Sequence, residues 1–106
     1  MKKFEVSVII PAYNEEKYIG SCLQSLVGQK TKRNFEVVLV DNNSTDDTKK
    51  IAESFKDKLN IRTVSEKEQG RGITRWKGFE EATGDILFST DADTIMPPDW
   101  IERFAQ

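Results

Sequence analysis

The sequence predicts an α/β domain in three α/β/α layers around a mostly parallel sheet. Two observations carry this. Short runs rich in β-branched and aromatic residues alternate with longer stretches whose apolar residues recur every three or four positions. The strand-like runs are almost continuously apolar, as strands covered on both faces are. At 106 residues the chain has room for one domain, with 37% hydrophobic residues to build a core.

Val6-Ser7-Val8-Ile9-Ile10 reads as the first strand. A helix follows, with Ile19, Cys22, Leu23, Leu26 and Val27 on one stripe, Asn14 as its N-cap, Glu15 and Glu16 complementing the helix dipole, and Gly28 as its stop. Phe35–Val40 is the second strand. Ser44-Thr45-Asp46-Asp47 has the spacing of a capping box and opens a second helix containing Ile51, Ala52, Phe55 and Leu59. Ile61–Val64 is a weaker strand, nearer an edge. The third helix sets Ile73, Trp76, Phe79 and Ala82 on one side, making Trp76 and Phe79 core residues, and ends at Gly84 as a C′ glycine. Asp85–Ser89 is the last strand, and a helix starts at Asp99-Trp100 after Pro97-Pro98.

Composition excludes several classes of function. Sixteen basic and eighteen acidic residues give a net charge of −2, without the basic excess of a nucleic-acid binder, so no nucleic-acid partner is expected. There is no histidine, which removes Ser–His and Cys–His nucleophiles and His-ligated metals. The single cysteine, Cys22, excludes an internal disulfide and reads as a small buried hydrophobe in a reducing, cytoplasmic setting. No apolar run reaches the roughly 20 residues of a membrane span, and the Met-Lys-Lys start lacks the apolar stretch of a secretory signal.

Ligands of open α/β sheets bind beyond the carboxyl ends of the strands. There the sequence places Pro11-Ala12-Tyr13-Asn14-Glu15-Glu16, Asp41-Asn42-Asn43-Ser44-Thr45-Asp46 and Thr90-Asp91-Ala92-Asp93-Thr94. No glycine-rich phosphate loop follows the first strand, which argues against dinucleotide-binding and P-loop readings. Asp91 and Asp93 can share one hard cation or divide their work between a cation and a sugar hydroxyl; alternatively both simply cap a turn. Asn42 and Asn43 read as turn formers.

Val8–Glu16, Val40–Thr48, Gly70-Arg71-Gly72 with Arg75, and Gly84–Asp93 together, in this order and spacing, resemble the family 2 glycosyltransferases over nearly the whole chain. The resemblance implies the GT-A fold, a nucleotide-diphosphate sugar donor (commonly a UDP-sugar), Mg²⁺ or Mn²⁺, and hexosyl transfer with inversion to a glycan, polysaccharide or lipid-phosphate acceptor. It also implies that Pro11, Ala12, Tyr13 and Glu15 hold the nucleoside and that Asp41 contacts the base or ribose. Arg75 then lies near the donor nucleotide, Asp91 on the ribose side, and Asp93 binds the metal. Each has a plainer alternative: Tyr13 as a surface aromatic, Glu15 as a helix-dipole partner, Asp41 as a strand end, Arg75 paired with Glu80 or Glu81. The chain departs from the family pattern at Thr74-Arg75-Trp76, where many members carry Ala-Arg-Asn, and at the polar Ser89-Thr90.

The general base of such a transfer lies, in this family, well downstream of the two aspartates. Residues 1–106 are therefore expected to be the nucleotide-sugar-binding portion of a longer enzyme, with the base beyond Gln106, no turnover by this portion alone, and an exposed flank on the last strand that drives self-association. The family also allows the full-length enzyme to sit at the cytoplasmic face of a membrane. Two other readings are a nucleotidyltransferase that makes sugar nucleotides, whose glycine-rich first loop is missing here, and a non-catalytic binding module of the same fold.

Overall fold

A computed structural model describes residues 4–105. The elements are β1 (Val6–Ala12), α1 (Ile19–Val27), β2 (Phe35–Asp41), α2 (Thr48–Glu53), β3 (Ile61–Ser65), α3 (Arg71–Glu81), β4 (Ile86–Ser89) and α4 (Trp100–Phe104). All strand pairs are parallel, in the order β3-β2-β1-β4. The alternation anticipated from the sequence is thus realised, with the weak third strand at one edge.

Side-chain alternation along the strands divides the core in two. Val6, Val8 and Ile10 of β1, with Val37 and Leu39 of β2, pack under Ile19, Cys22, Leu23 and Leu26 of α1, Ala52 of α2 and Ile101 of α4. Ile9, Val38 and Val40 face the other way, toward Phe79 and Ala82. Helix α3 covers that second face closely. A Cβ on Gly78 would lie 2.2 Å from Ile9 Cγ2, so only glycine lets the helix approach to this distance.

β1 continues through Pro11 to Ala12, two residues past its expected end. The Ile9 carbonyl accepts from Thr90 N–H on the β4 side, and the Ala12 carbonyl accepts from Asn42 N–H on the β2 side. Pro11 therefore turns its missing N–H toward β4 just where that strand has ended, and no ladder bond is lost.

Several local expectations are corrected. Asn14 does not cap α1: its φ is 51°, and the Glu15 carbonyl instead accepts from Tyr18 and Ile19 N–H in a turn that delays the helix to Ile19. Glu15 is thereby released from the helix. The second helix stops at Glu53, although Phe55 and Leu59 still reach the core through the following turns. Trp76 is 63% exposed and Ile73 also faces outward, because the side of α3 against the sheet is formed by Thr74 and Gly78. Gly84 is not a left-handed terminator. It is squeezed against β1, where a Cβ would lie 2.7 Å from Ser7 N and Oγ. Among the described strands β4 is the other edge, with Leu87 exposed on the flank expected to be uncovered.

The end of the sheet near Gly84 is sealed by a polar network. Glu36, 2% exposed, accepts on Oε2 from Ser7 Oγ (2.7 Å) and from the Thr83 N–H and hydroxyl (both 2.9 Å); Arg62 donates to Oε1 at 3.3 Å. Gly84 N–H closes the ring on Ser7 Oγ. Burial alone would raise the Glu36 carboxyl, but these hydrogen bonds and the Arg62 charge hold it below the ordinary range.

Candidate functional site

The loops after β1 and β2 are laced together by side chains bonding to backbone. Asn14 N–H donates to Ser44 Oγ (2.9 Å), Glu15 N–H to Thr48 Oγ1 (2.8 Å), and Thr45 N–H to Asn14 Oδ1 (2.8 Å). Glu16 accepts from Asp47 N–H at 3.0 Å. The segment 44–48 thus braces the neighbouring loop as well as opening α2, and the small hydroxyls and carboxylates there suit backbone donors.

At the end of β2, Asn42 organises a third loop. Its amide donates to the carbonyls of Glu66 and Glu68, both at 2.8 Å, and its Oδ1 accepts from Gly70 N–H at 3.1 Å. Gln69 returns a bond to the Asn42 carbonyl. Gly70 has φ 147°, a value that favours glycine, where the loop turns into α3. Of the two asparagines read as turn formers, Asn43 is one, with φ 63°, whereas Asn42 is a buried organiser whose side chain is fully used.

These loops and the end of β4 enclose a cleft of about 360 Å³ at the carboxyl edge of the sheet. Pro11, Ala12, Tyr13 and Glu15 line it from the β1 side, Asn42 and Gln69–Arg71 from the β2 side, Thr74 from α3, and Asp91–Asp93 from the β4 side. Six of the eight residues singled out in the sequence therefore meet here. Asp41 does not line the cleft. It lies beside two residues that do, its register partner Ala12 and its chain neighbour Asn42; its Oδ1 is buried without a hydrogen-bond partner among the described residues, while Oδ2 accepts weakly from Ser44 N–H. Arg75 does not line the cleft either; it bonds to Asp91 (3.2 Å) and Ser89 (2.8 Å) rather than to Glu80 or Glu81. Asn42, Gln69, Arg71 and Thr74 were not singled out as site residues. The Gly70-Arg71-Gly72 signal pointed to this loop, but nothing local in the sequence says that Asn42 would gather it.

The electrostatics of the cleft are acidic. Burial, followed by the carboxylates of Asp93 and Asp91, pushes Glu15 above its ordinary value, against the pull of Arg71. Cys22 beneath them is pushed up to about 12, first by burial and then by Asp93, Glu15 and Asp91. Its thiol donates to the Asp91 carbonyl and is no nucleophile at neutral pH. Asp93 is exposed and makes no hydrogen bond or ion pair among the described residues.

Among the described residues no three acidic or cysteine side chains converge to hold a metal by themselves. The donor set nevertheless fits a hard divalent cation of the Mg²⁺ class, which is held by one or two carboxylates plus oxygens from water and a phosphate ligand. Asp93 supplies the free carboxylate. The acidic field supplies the reason for a cation, since a diphosphate entering between Glu15, Asp91 and Asp93 unaccompanied would meet like charge.

The profile described as "Glycosyl transferase family 2" matches residues 7–106. The chain belongs to glycosyltransferase family 2. Among family members, Glycosyltransferase AglE of Haloferax volcanii is 41% identical over 102 residues, which are 92% of this chain and 33% of AglE. The crystal structure of Staphylococcus aureus TarS 1–349 with UDP superposes with a TM-score of 0.89 at 36% identity, covering 95% of this chain and 31% of that one; a further TarS structure holds UDP-GlcNAc. The mannosyltransferase PcManGT of Pyrobaculum calidifontis, in complex with GDP-Man and Mn²⁺, gives a TM-score of 0.82 at 34% identity, over 90% of this chain and 29% of its own. These are GT-A glycosyltransferases, and the α/β architecture here is the GT-A fold. The chain spans about a third or less of the length of these relatives. No helix among the described residues is long and apolar enough to cross a membrane.

Proposed function

We propose that this chain forms the donor-binding portion of a glycosyltransferase that moves a hexosyl group from a nucleotide-diphosphate sugar to an acceptor hydroxyl, with inversion at the anomeric carbon. The observation that supports this best is the meeting of Tyr13, Glu15, Asp91 and Asp93 in one cleft at the carboxyl edge of a sheet whose relatives are crystallised with UDP, UDP-GlcNAc and GDP-Man. In this reading Pro11, Ala12 and Tyr13 form the apolar wall against the nucleoside, and Glu15 stands at its edge. The buried, unpartnered Asp41 Oδ1 favours a base that carries a ring N–H, as uracil and guanine do and cytosine and adenine do not. Asp91 faces the ribose and Asp93 holds Mg²⁺ or Mn²⁺. Held by Asp93, such a cation would supply positive charge toward the departing diphosphate. The acceptor oxygen attacks the anomeric carbon as the bond to the diphosphate oxygen breaks, and the hydroxyl proton passes to a general base. A glycan, a polysaccharide and a lipid phosphate all provide such an oxygen.

Calorimetric titration with UDP, GDP, CDP and ADP, each with and without Mn²⁺, tests the donor reading. Metal-dependent binding of UDP or GDP, with CDP and ADP weaker by at least about tenfold, is the expected result. Equal binding of all four would remove Asp41 from base selection, and no binding of any would reject the donor site.

A further inference from the structure

We propose that Arg75 is a positioning residue that splits the Asp91-Ala92-Asp93 motif into one charge-compensated acid and one free acid, so that a divalent cation is held by Asp93 and only weakly until a diphosphate joins it. The inference deepens the donor-site reading and rests on it for the identity of the diphosphate.

Arg75 reaches from α3 to two points at the end of β4. Its Nε donates to Ser89 Oγ at 2.8 Å and its Nη2 to Asp91 Oδ1 at 3.2 Å. A planar guanidinium gripped on two edges has one orientation, and here that orientation presents it to Asp91. Asp91 lines the cleft with one oxygen already engaged, whereas Asp93, two residues on, has no such partner among the described residues. Two uncompensated carboxylates this close would draw a cation before any donor arrived. With Asp91 neutralised, a cation would find one free carboxylate and would need further oxygens from outside the chain, of the kind a diphosphate carries. The device also lowers the like-charge burden on Glu15, which shares the cleft with both aspartates. A lysine could supply the charge but not the two-edged grip.

The test needs no nucleotide. Mn²⁺ is titrated into the intact chain and followed by electron paramagnetic resonance of the free ion. Arg75→Gln is expected to tighten Mn²⁺ by about three- to fivefold, the scale of one partly exposed ion pair. The same substitution in an Asp91→Asn background is expected to change nothing. Ser89→Ala, which removes the second anchor, shifts the affinity in the same direction by a smaller factor and serves if Arg75→Gln fails to fold. Unchanged, weaker or undetectable Mn²⁺ binding in a folded Arg75→Gln chain overturns the proposal. So does a loss of UDP or GDP affinity with Mn²⁺ binding unaltered, which would make Arg75 a direct donor contact. Failure of the wild-type chain to bind any nucleotide would reject the donor site while leaving the Mn²⁺ comparison decisive for Arg75.

Discussion

The two ends of the sheet hold carboxylates of opposite kind. At the amino end Glu36 is buried, and Ser7, Thr83 and Arg62 satisfy both of its oxygens. At the carboxyl end Glu15, Asp91 and Asp93 crowd around open space, with one ion pair among the described residues, that of Asp91 with Arg75. The first arrangement has its ligands built in and serves the fold. The second leaves capacity for ligands from outside, and there Glu15 is raised first by burial and then by the neighbouring carboxylates of Asp93 and Asp91. An acid of either kind transplanted to the other end would be out of place.

The largest effect should come from the satisfied end. Glu36→Ala strips the acceptor from the buried Ser7 hydroxyl and from the Thr83 hydroxyl and backbone N–H, and is expected to cost about 3 kcal/mol, read from the urea midpoint with an unchanged slope. A loss below about 1 kcal/mol would mean that the network is idle. Asp93→Ala should do the reverse, with folding stability within about 0.5 kcal/mol of wild type but Mn²⁺-dependent nucleotide affinity reduced more than about tenfold in calorimetry.

The pH dependence should separate the two ends by sign. Glu36 is held below its ordinary value of 4.5, so its contribution to stability is present above that pH and is lost as the pH falls through the depressed folded value. Glu36→Gln should therefore flatten the acid limb of a stability–pH curve. Glu15 is shifted upward from 4.5, so ionising it disfavours the folded state as the pH rises through its folded value. Glu15→Gln should consequently stabilise the chain near neutral pH and leave it unchanged in acid, and a uniform effect at every pH would contradict the assignment. The smallest effect is expected at Trp76. Being 63% exposed, its replacement by Ser should alter stability by less than about 0.5 kcal/mol, and its fluorescence should already be solvent-like in the native state.

Trp76 also marks where periodicity misleads. Ile73, Trp76 and Phe79 have the spacing of a core stripe, yet only Phe79 reaches the core; α3 turns Thr74 and Gly78 to the sheet, where Ile9 leaves no room for a larger side chain at Gly78, and Ile73 and Trp76 face outward. Asn14 fails for a related reason. It has the chemistry of an N-cap, but Ser44 and Thr45 claim it across the gap between two loops some thirty residues apart in sequence. By contrast the four strands, their order along the chain and six of the twelve residues that line the cleft were legible, because strand ends converge by rule in a parallel sheet.

The sequence alone determined the alternation of strands and helices, the edge position of the weak third strand, the exclusion of histidine and disulfide chemistry, and the family. These follow from residue types, their short-range spacing and motif order. The tertiary structure decided which acids are satisfied and which are free: Glu36 by contacts with residues 7, 62 and 83, Asp91 by Arg75, and Asp93 by the lack of any such partner among the described residues. It also decided that Asn42 gathers the loop that closes the cleft. The physical reason is range. Secondary structure responds to neighbours within a few residues, whereas the charge state and ligand capacity of a carboxylate depend on atoms within a few ångströms that the chain brings from far along its length.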